Sequence, residues 1–163
     1  GLLLQVFDVS DVTNPTLLHR YVIGTRGSAS DAATNHLAFN YFAPKNLLAL
    51  PMIVCENGGN GTYGDSMTFN GLQVFRVTVQ NGFELLGGIP HALPEVDPSS
   101  GYYNATCSMW WSDATSQVKR SIIMDDYVYS IATDLINVSY ISDLAHPVAS
   151  IDLVTSDDAV VEQ

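Results

Sequence analysis

Apolar and polar positions alternate along most of this chain, in short runs broken by turn residues. In Leu4-Gln5-Val6-Phe7-Asp8-Val9 the apolar side chains stand at 4, 6, 7 and 9, close to the period of two that marks a strand with one buried face. Leu17 to Ile23 repeats the pattern after Asp11-Val12-Thr13-Asn14-Pro15, where Asx side chains capture backbone groups and Pro15 presets φ. His36 to Phe42 and Leu47 to Val54 read as strands around a Pro44-Lys45-Asn46 turn. Leu72 to Val79 and Phe83 to Ile89 read as a hairpin around Gln80-Asn81-Gly82, since Asn-Gly favours the tight turns that join strands. Lys119 to Met124, Tyr127 to Ala132, Ile136 to Ser142 and Val148 to Leu153 complete a set of about ten strands. No convincing helical period occurs; Asp31 to Phe39 admits one helical turn before a strand. Glu56 to Asn70 and His91 to Gln117 lack any period and read as long loops, and the acidic tail is expected to fray.

Three segments line up with one another: Leu4 to Ser10, Leu72 to Thr78 and Ile136 to Ser142. Each is followed by a turn and a second strand, and the last two are preceded by another strand pair. The unit is four antiparallel strands in sequence, a propeller blade enlarged by loop insertions. The expected fold is therefore all-β, a partial β-propeller of about two and a half four-stranded blades. Residues 1–23 form a half blade, 36–89 a blade with a loop insertion, 118–153 a third blade and 154–163 a tail. Ten strands would also make a β-sandwich, but a sandwich needs no repeated strand-pair motif. A closed propeller takes four or more blades. The chain is thus expected to be a fragment of a larger propeller, joined by its remaining blades or by copies of itself.

Composition narrows the partners. Of 163 residues, 47% are apolar and 14% charged, which is a globular balance. Six Lys and Arg against 17 Asp and Glu give a net charge of −11. That argues against a nucleic acid or an anionic membrane as partner, since both need a basic face. No apolar run approaches a transmembrane segment. Cys55 and Cys107 lie too far apart for C-x-x-C redox chemistry or a cysteine zinc site. Both fall in polar loops, where a disulfide fits better than two free thiols. A disulfide implies an oxidising compartment, so a secreted or cell-surface location is expected.

The order of several segments resembles a known family. The segments are Phe7-Asp8-Val9-Ser10-Asp11 with Asn14-Pro15, Ile23-Gly24-Thr25-Arg26-Gly27-Ser28, His36-Leu37-Ala38-Phe39 and Asn46-Leu47-Leu48-Ala49-Leu50-Pro51. Gly71-Leu72-Gln73-Val74-Phe75, Gly82-Phe83-Glu84-Leu85 and Val118 to Ile131 continue the series. Together they resemble secreted bacterial and archaeal proteins with a C-terminal β-propeller distantly related to WD40 repeats. The resemblance implies an exported propeller and carries over no catalytic residue or cofactor.

Candidate chemistry is sparse. His36 would open an inner strand after the polar Arg26-Gly27-Ser28 loop, and with Arg26 and Asp31 it could line a central channel. The bland reading of His36 is a structural hydrogen-bonding residue. Asp8, Asp11 and Asp125-Asp126 sit in turns, where Ca²⁺ could join carboxylates and loop carbonyls, but Asp is also the residue turns prefer. No D-x-D-x-D-G loop, G-x-S-x-G or phosphate-binding glycine motif occurs, so neither a catalytic residue, a metal nor another cofactor is expected. Trp110 and Trp111 lie in the second loop, where aromatic side chains on a propeller face would contact a protein or glycan, or else anchor the insertion onto the blades. The first reading is a non-catalytic extracytoplasmic scaffold; the alternative is part of a propeller hydrolase or lyase with a channel-lining site.

Overall fold

The computed structural model describes residues 1–91, 107 and 117–153. Their strands are β1 (Leu2–Asp8), β2 (Thr16–Ile23), β3 (Asn40–Phe42), β4 (Leu47–Glu56), β5 (Ser66–Thr78), β6 (Gly82–Pro90), β7 (Val118–Met124), β8 (Tyr127–Ala132), β9 (Leu135–Tyr140) and β10 (Ala149–Asp152). They form a two-stranded sheet, β1-β2, and two four-stranded sheets, β3-β4-β5-β6 and β7-β8-β9-β10. Every neighbouring pair is antiparallel and sequential, so each sheet is an up-and-down meander.

Turn chemistry sets the meander. Asp11 accepts hydrogen bonds from the Thr13 backbone at 3.0 Å and its hydroxyl at 2.7 Å, which folds the chain between β1 and β2. Between β5 and β6, Gly82 has φ +70, and a Cβ there would stand 2.8 Å from the His19 ring. Asn46 takes the left-handed conformation between β3 and β4, as the short polar side chain of asparagine permits.

β4 explains how the sheets stack. Leu47 to Cys55 are all buried, so this strand has no solvent face. Its even positions, Leu48, Leu50, Met52 and Val54, pack with Ile23, Phe75, Tyr21 and Leu4 toward the two-stranded sheet. Its odd positions Leu47 and Ala49 pack with Val74, Ile89, Val118, Ile123 and Val128 toward the third sheet. A period of two puts neighbouring residues on opposite faces, so a continuous apolar run serves two boundaries at once. The middle sheet is held between the other two.

The boundary between the two four-stranded sheets also carries a polar row. Cross-strand register aligns Ser121, Ser130, Asn137 and Ser150 across β7, β8, β9 and β10. The Asn40 amide of β3 donates to the Ser121 carbonyl at 3.0 Å and to its hydroxyl at 3.2 Å. The Ser150 hydroxyl donates to Asn137 Oδ1 at 2.7 Å. The Asn40 contacts cross from one sheet to the other and fix their relative placement more narrowly than apolar contact alone, while the Ser150 contact ties β10 to β9 within one sheet.

Two details differ from the sequence reading. His36 to Phe42 is not one strand: Asp31–Ala33 and His36–Ala38 are 3-10 turns, and only Asn40–Phe42 pairs with β4. Ser30 and Asn35 cap these turns, accepting from the Ala32 and Leu37 backbones, and that local capture outcompetes extension. β5 begins at Ser66, inside the stretch read as loop, because Ser66 to Phe69 pair with the end of β4.

Among the described residues, the two outer faces of the stack carry exposed apolar side chains. Leu3, Phe7 and Val22 (57% exposed) cover the face of the two-stranded sheet turned away from β4. Ile122 and Met124 (50% exposed) lie on the outward face of β7.

Candidate functional site

The long connections gather at one end of the stack. The segment after β2 runs alongside the end of β4: the Ala29 and Ile53 backbones exchange hydrogen bonds of 3.0 and 2.9 Å, and Thr25 N–H donates to the Cys55 carbonyl at 2.6 Å. Ser28 Oγ accepts from the Cys55 N–H at 2.9 Å and donates to the Cys55 carbonyl at 3.2 Å. Cys55 and Cys107 form a disulfide, each almost wholly buried beside Ile53 and Met67. Gly27 is the close approach that admits Cys107. Its φ is +108, and a Cβ there would stand 2.7 Å from the Cys107 Cβ.

Arg26 braces the loop between β4 and β5. Its carbonyl accepts from the Gly64 N–H at 2.7 Å. Its guanidinium lies 4.1 Å from the Tyr63 ring centroid, donates to the Tyr63 hydroxyl at 3.2 Å and donates to the Gly61 carbonyl. An exposed cation–π contact of this kind contributes about 0.5–1 kcal/mol. Thr25 Oγ1 adds a tie, accepting from the Gly58 N–H at 3.0 Å.

Asp31 lies elsewhere on the same end. Its carboxylate meets Lys119 Nζ at 3.0 Å and is mostly buried. A register shift at the start of β7 falls at Lys119, whose ammonium reaches the 24–39 connection. His36 is exposed in its 3-10 turn, where its carbonyl accepts from the Phe39 N–H at 3.2 Å. Arg26, Asp31 and His36 therefore have separate surroundings: a loop brace, an ion pair and a surface turn. Trp110 and Trp111 lie outside the described residues.

The opposite end holds a cleft of about 830 Å³ between the two four-stranded sheets. Lys45 and Asp126 form an ion pair of 2.8 Å at its mouth, joining the β3–β4 turn to the β7–β8 turn. Arg76 lines it too, paired at 3.1 Å with Glu84. Both pairs are exposed on at least one side and contribute about 0–1 kcal/mol each. Among the described residues, no three His, Cys, Asp or Glu side chains gather to hold a metal. Asp8 and Asp11 are engaged by their own turns, whose hydrogen bonds from Ser10 and Thr13 hold both carboxyls below the usual carboxylate value.

Sequence reasoning missed Lys119, which pairs with Asp31, and passed over His91, which lies inside the boundary between the sheets. His91 follows β6, and its ring lies against Ser130 of the polar row.

Meandering antiparallel sheets of four strands, stacked face to face with their long loops at one end, define the class as a β-propeller. The match to known families agrees: the beta propeller domain covers residues 1–144, and the chain belongs to that family. No curated protein and no solved structure matches the chain. No helix among the described residues is long and apolar enough to cross a membrane.

Proposed function

We propose that this propeller is a non-catalytic, extracytoplasmic binding scaffold whose contact surface is the insertion end. The observation that carries this reading is the fastening of that end. A buried disulfide ties Cys107, between β6 and β7, to the end of β4, and Arg26 stacks on Tyr63 to brace the neighbouring loop. Loops held in one conformation lose less entropy on binding, which is what a recognition surface needs. The disulfide also supports an oxidising location. The partner is a protein or glycan, with Trp110 and Trp111, which lie outside the described residues, as its anchors. The apolar outer faces of the stack are contact surfaces for further blades or another copy of the chain.

Immobilised protein screened against a glycan array and a panel of extracellular proteins tests this reading. Saturable binding without turnover, lost in Trp110→Ala/Trp111→Ala while the circular dichroism spectrum holds, is the expected result. Hydrolytic or lyase turnover that disappears in His36→Ala or Asp31→Asn would overturn it.

A further inference from the structure

One titratable group sits at the boundary between the second and third blades and takes no part in the surface above. His91 follows β6 and is only 8% exposed. Its N–H donates to the Asn70 carbonyl at 2.8 Å, which fixes the backbone. Its ring Nε2 lies 2.7 Å from Oγ of Ser130, a fully buried residue of β8. Ser130 is one of the four aligned polar residues, and its near neighbours Val128 and Ala132 are buried and apolar.

We propose that the hydrogen bond between His91 and Ser130 is an acid-released latch joining the second and third blades. A neutral imidazole suits this place, because Nε2 and a rotatable hydroxyl can share one proton in either direction. An imidazolium would put a full charge into a buried boundary whose touching groups are neutral, which is costly without a close counter-charge. Burial pushes the His91 pKa below its ordinary value of 6.5, while Asp134 pulls it the other way. Asp134, exposed in the turn between β8 and β9, is the charged group that acts on His91 among the described residues. The groups that touch His91 from β5 and β8, Asn70 and Ser130, are neutral.

The sign of the effect follows from linkage. Unfolded His91 takes its proton near its ordinary value of 6.5, and folded His91 takes it at lower pH. Between those two points the unfolded chain binds more protons. The stabilisation is therefore complete above about pH 6.5, declines as pH falls through the window, and levels off below the folded value. With one proton involved, the folded-to-unfolded ratio falls by at most about tenfold per pH unit.

Two measurements on the whole chain test the latch. One is an NMR titration of the His91 imidazole. The other is hydrogen exchange of the β8 amides at pH 7.5 and 5.5, corrected for the pH dependence of intrinsic exchange, in wild type and His91→Gln. The expected result is a His91 midpoint below 6.5, with faster β8 exchange in acid that His91→Gln abolishes. A midpoint at or above 6.5, or equal acid sensitivity in His91→Gln, overturns the proposal. If that variant does not fold, the wild-type midpoint and the β8 exchange rates decide the matter.

Discussion

Removing the disulfide is the perturbation whose size follows most directly from the structure. Cys55 and Cys107 are separated by 52 residues, and their bond closes that stretch in the unfolded chain as well as in the folded one. Releasing it returns loop entropy to the unfolded ensemble, and the chain-entropy relation gives about 4 kcal/mol for a loop of this length. The double variant Cys55→Ala/Cys107→Ala should lose that amount plus a small term for the sulfur-sized space beside Ile53 and Met67. Urea unfolding is the assay. With a slope of about 2 kcal/mol per molar, the midpoint should fall by about 2 M. A fall under about 0.5 M, with the slope unchanged, would refute the reasoning. It would mean that the closed segment is already constrained in the unfolded chain, and that the insertions do not depend on this tie.

Other outcomes follow from particular contacts. Phe75, wholly buried and edge-on to Tyr21 at 5.6 Å, anchors the boundary between the first two sheets. Phe75→Ala should cost about 3–5 kcal/mol, read as a lower urea midpoint. Gly27→Ala combines a strained φ with a collision against Cys107, and should cost about 1–3 kcal/mol with slower oxidative refolding. Lys45→Gln removes a pair whose Asp126 partner is 82% exposed, and should leave stability within about 0.5 kcal/mol in thermal melts.

Strands whose two faces differ, or whose turns carry Asn-Gly or Asp, were legible from local pattern alone. β1, β2, β6 and β8 fall within a few residues of where alternation puts them, because period-two burial and turn chemistry act over short distances. The helical turn admitted at Asp31 is present, but His36 to Ala38 was misread as strand because capping by Asn35 is a side-chain-to-backbone effect that apolar counting does not weigh. The start of β5 was missed because Ser66 to Phe69 are held by pairing with β4, a partner supplied from outside the segment. Among the site residues, the two cysteines were legible as a rare, even pair, although Cys55 lies not in a polar loop but near the end of β4, buried with Ile53 and Met67. The pairing of Asp31 with Lys119 was not, since 88 residues separate them and only the stacking of sheets brings them together. A signal for the polar row did exist. Ser130 and Asn137 each fall among apolar neighbours in consecutive strands, and that recurrence marks an interior pair, to which Ser121 and the exposed Ser150 extend the row.

The two-sided burial of β4 bears on how the protein is made. As the chain emerges from a ribosome, β1 and β2 can close into a hairpin at once, since their contacts are local. Their apolar face, with Leu2, Leu4, Tyr21 and Ile23, has nothing to rest on until Leu48, Leu50, Met52 and Phe75 have been synthesised. When β4 arrives, one face covers the hairpin and the other stays bare until β7 and β8 follow. Each stage of synthesis thus leaves an apolar sheet waiting for its successor. A pause in translation just after β6 would hold the nascent chain in an aggregation-prone form, with Leu47, Ala49, Leu72 and Val74 in water.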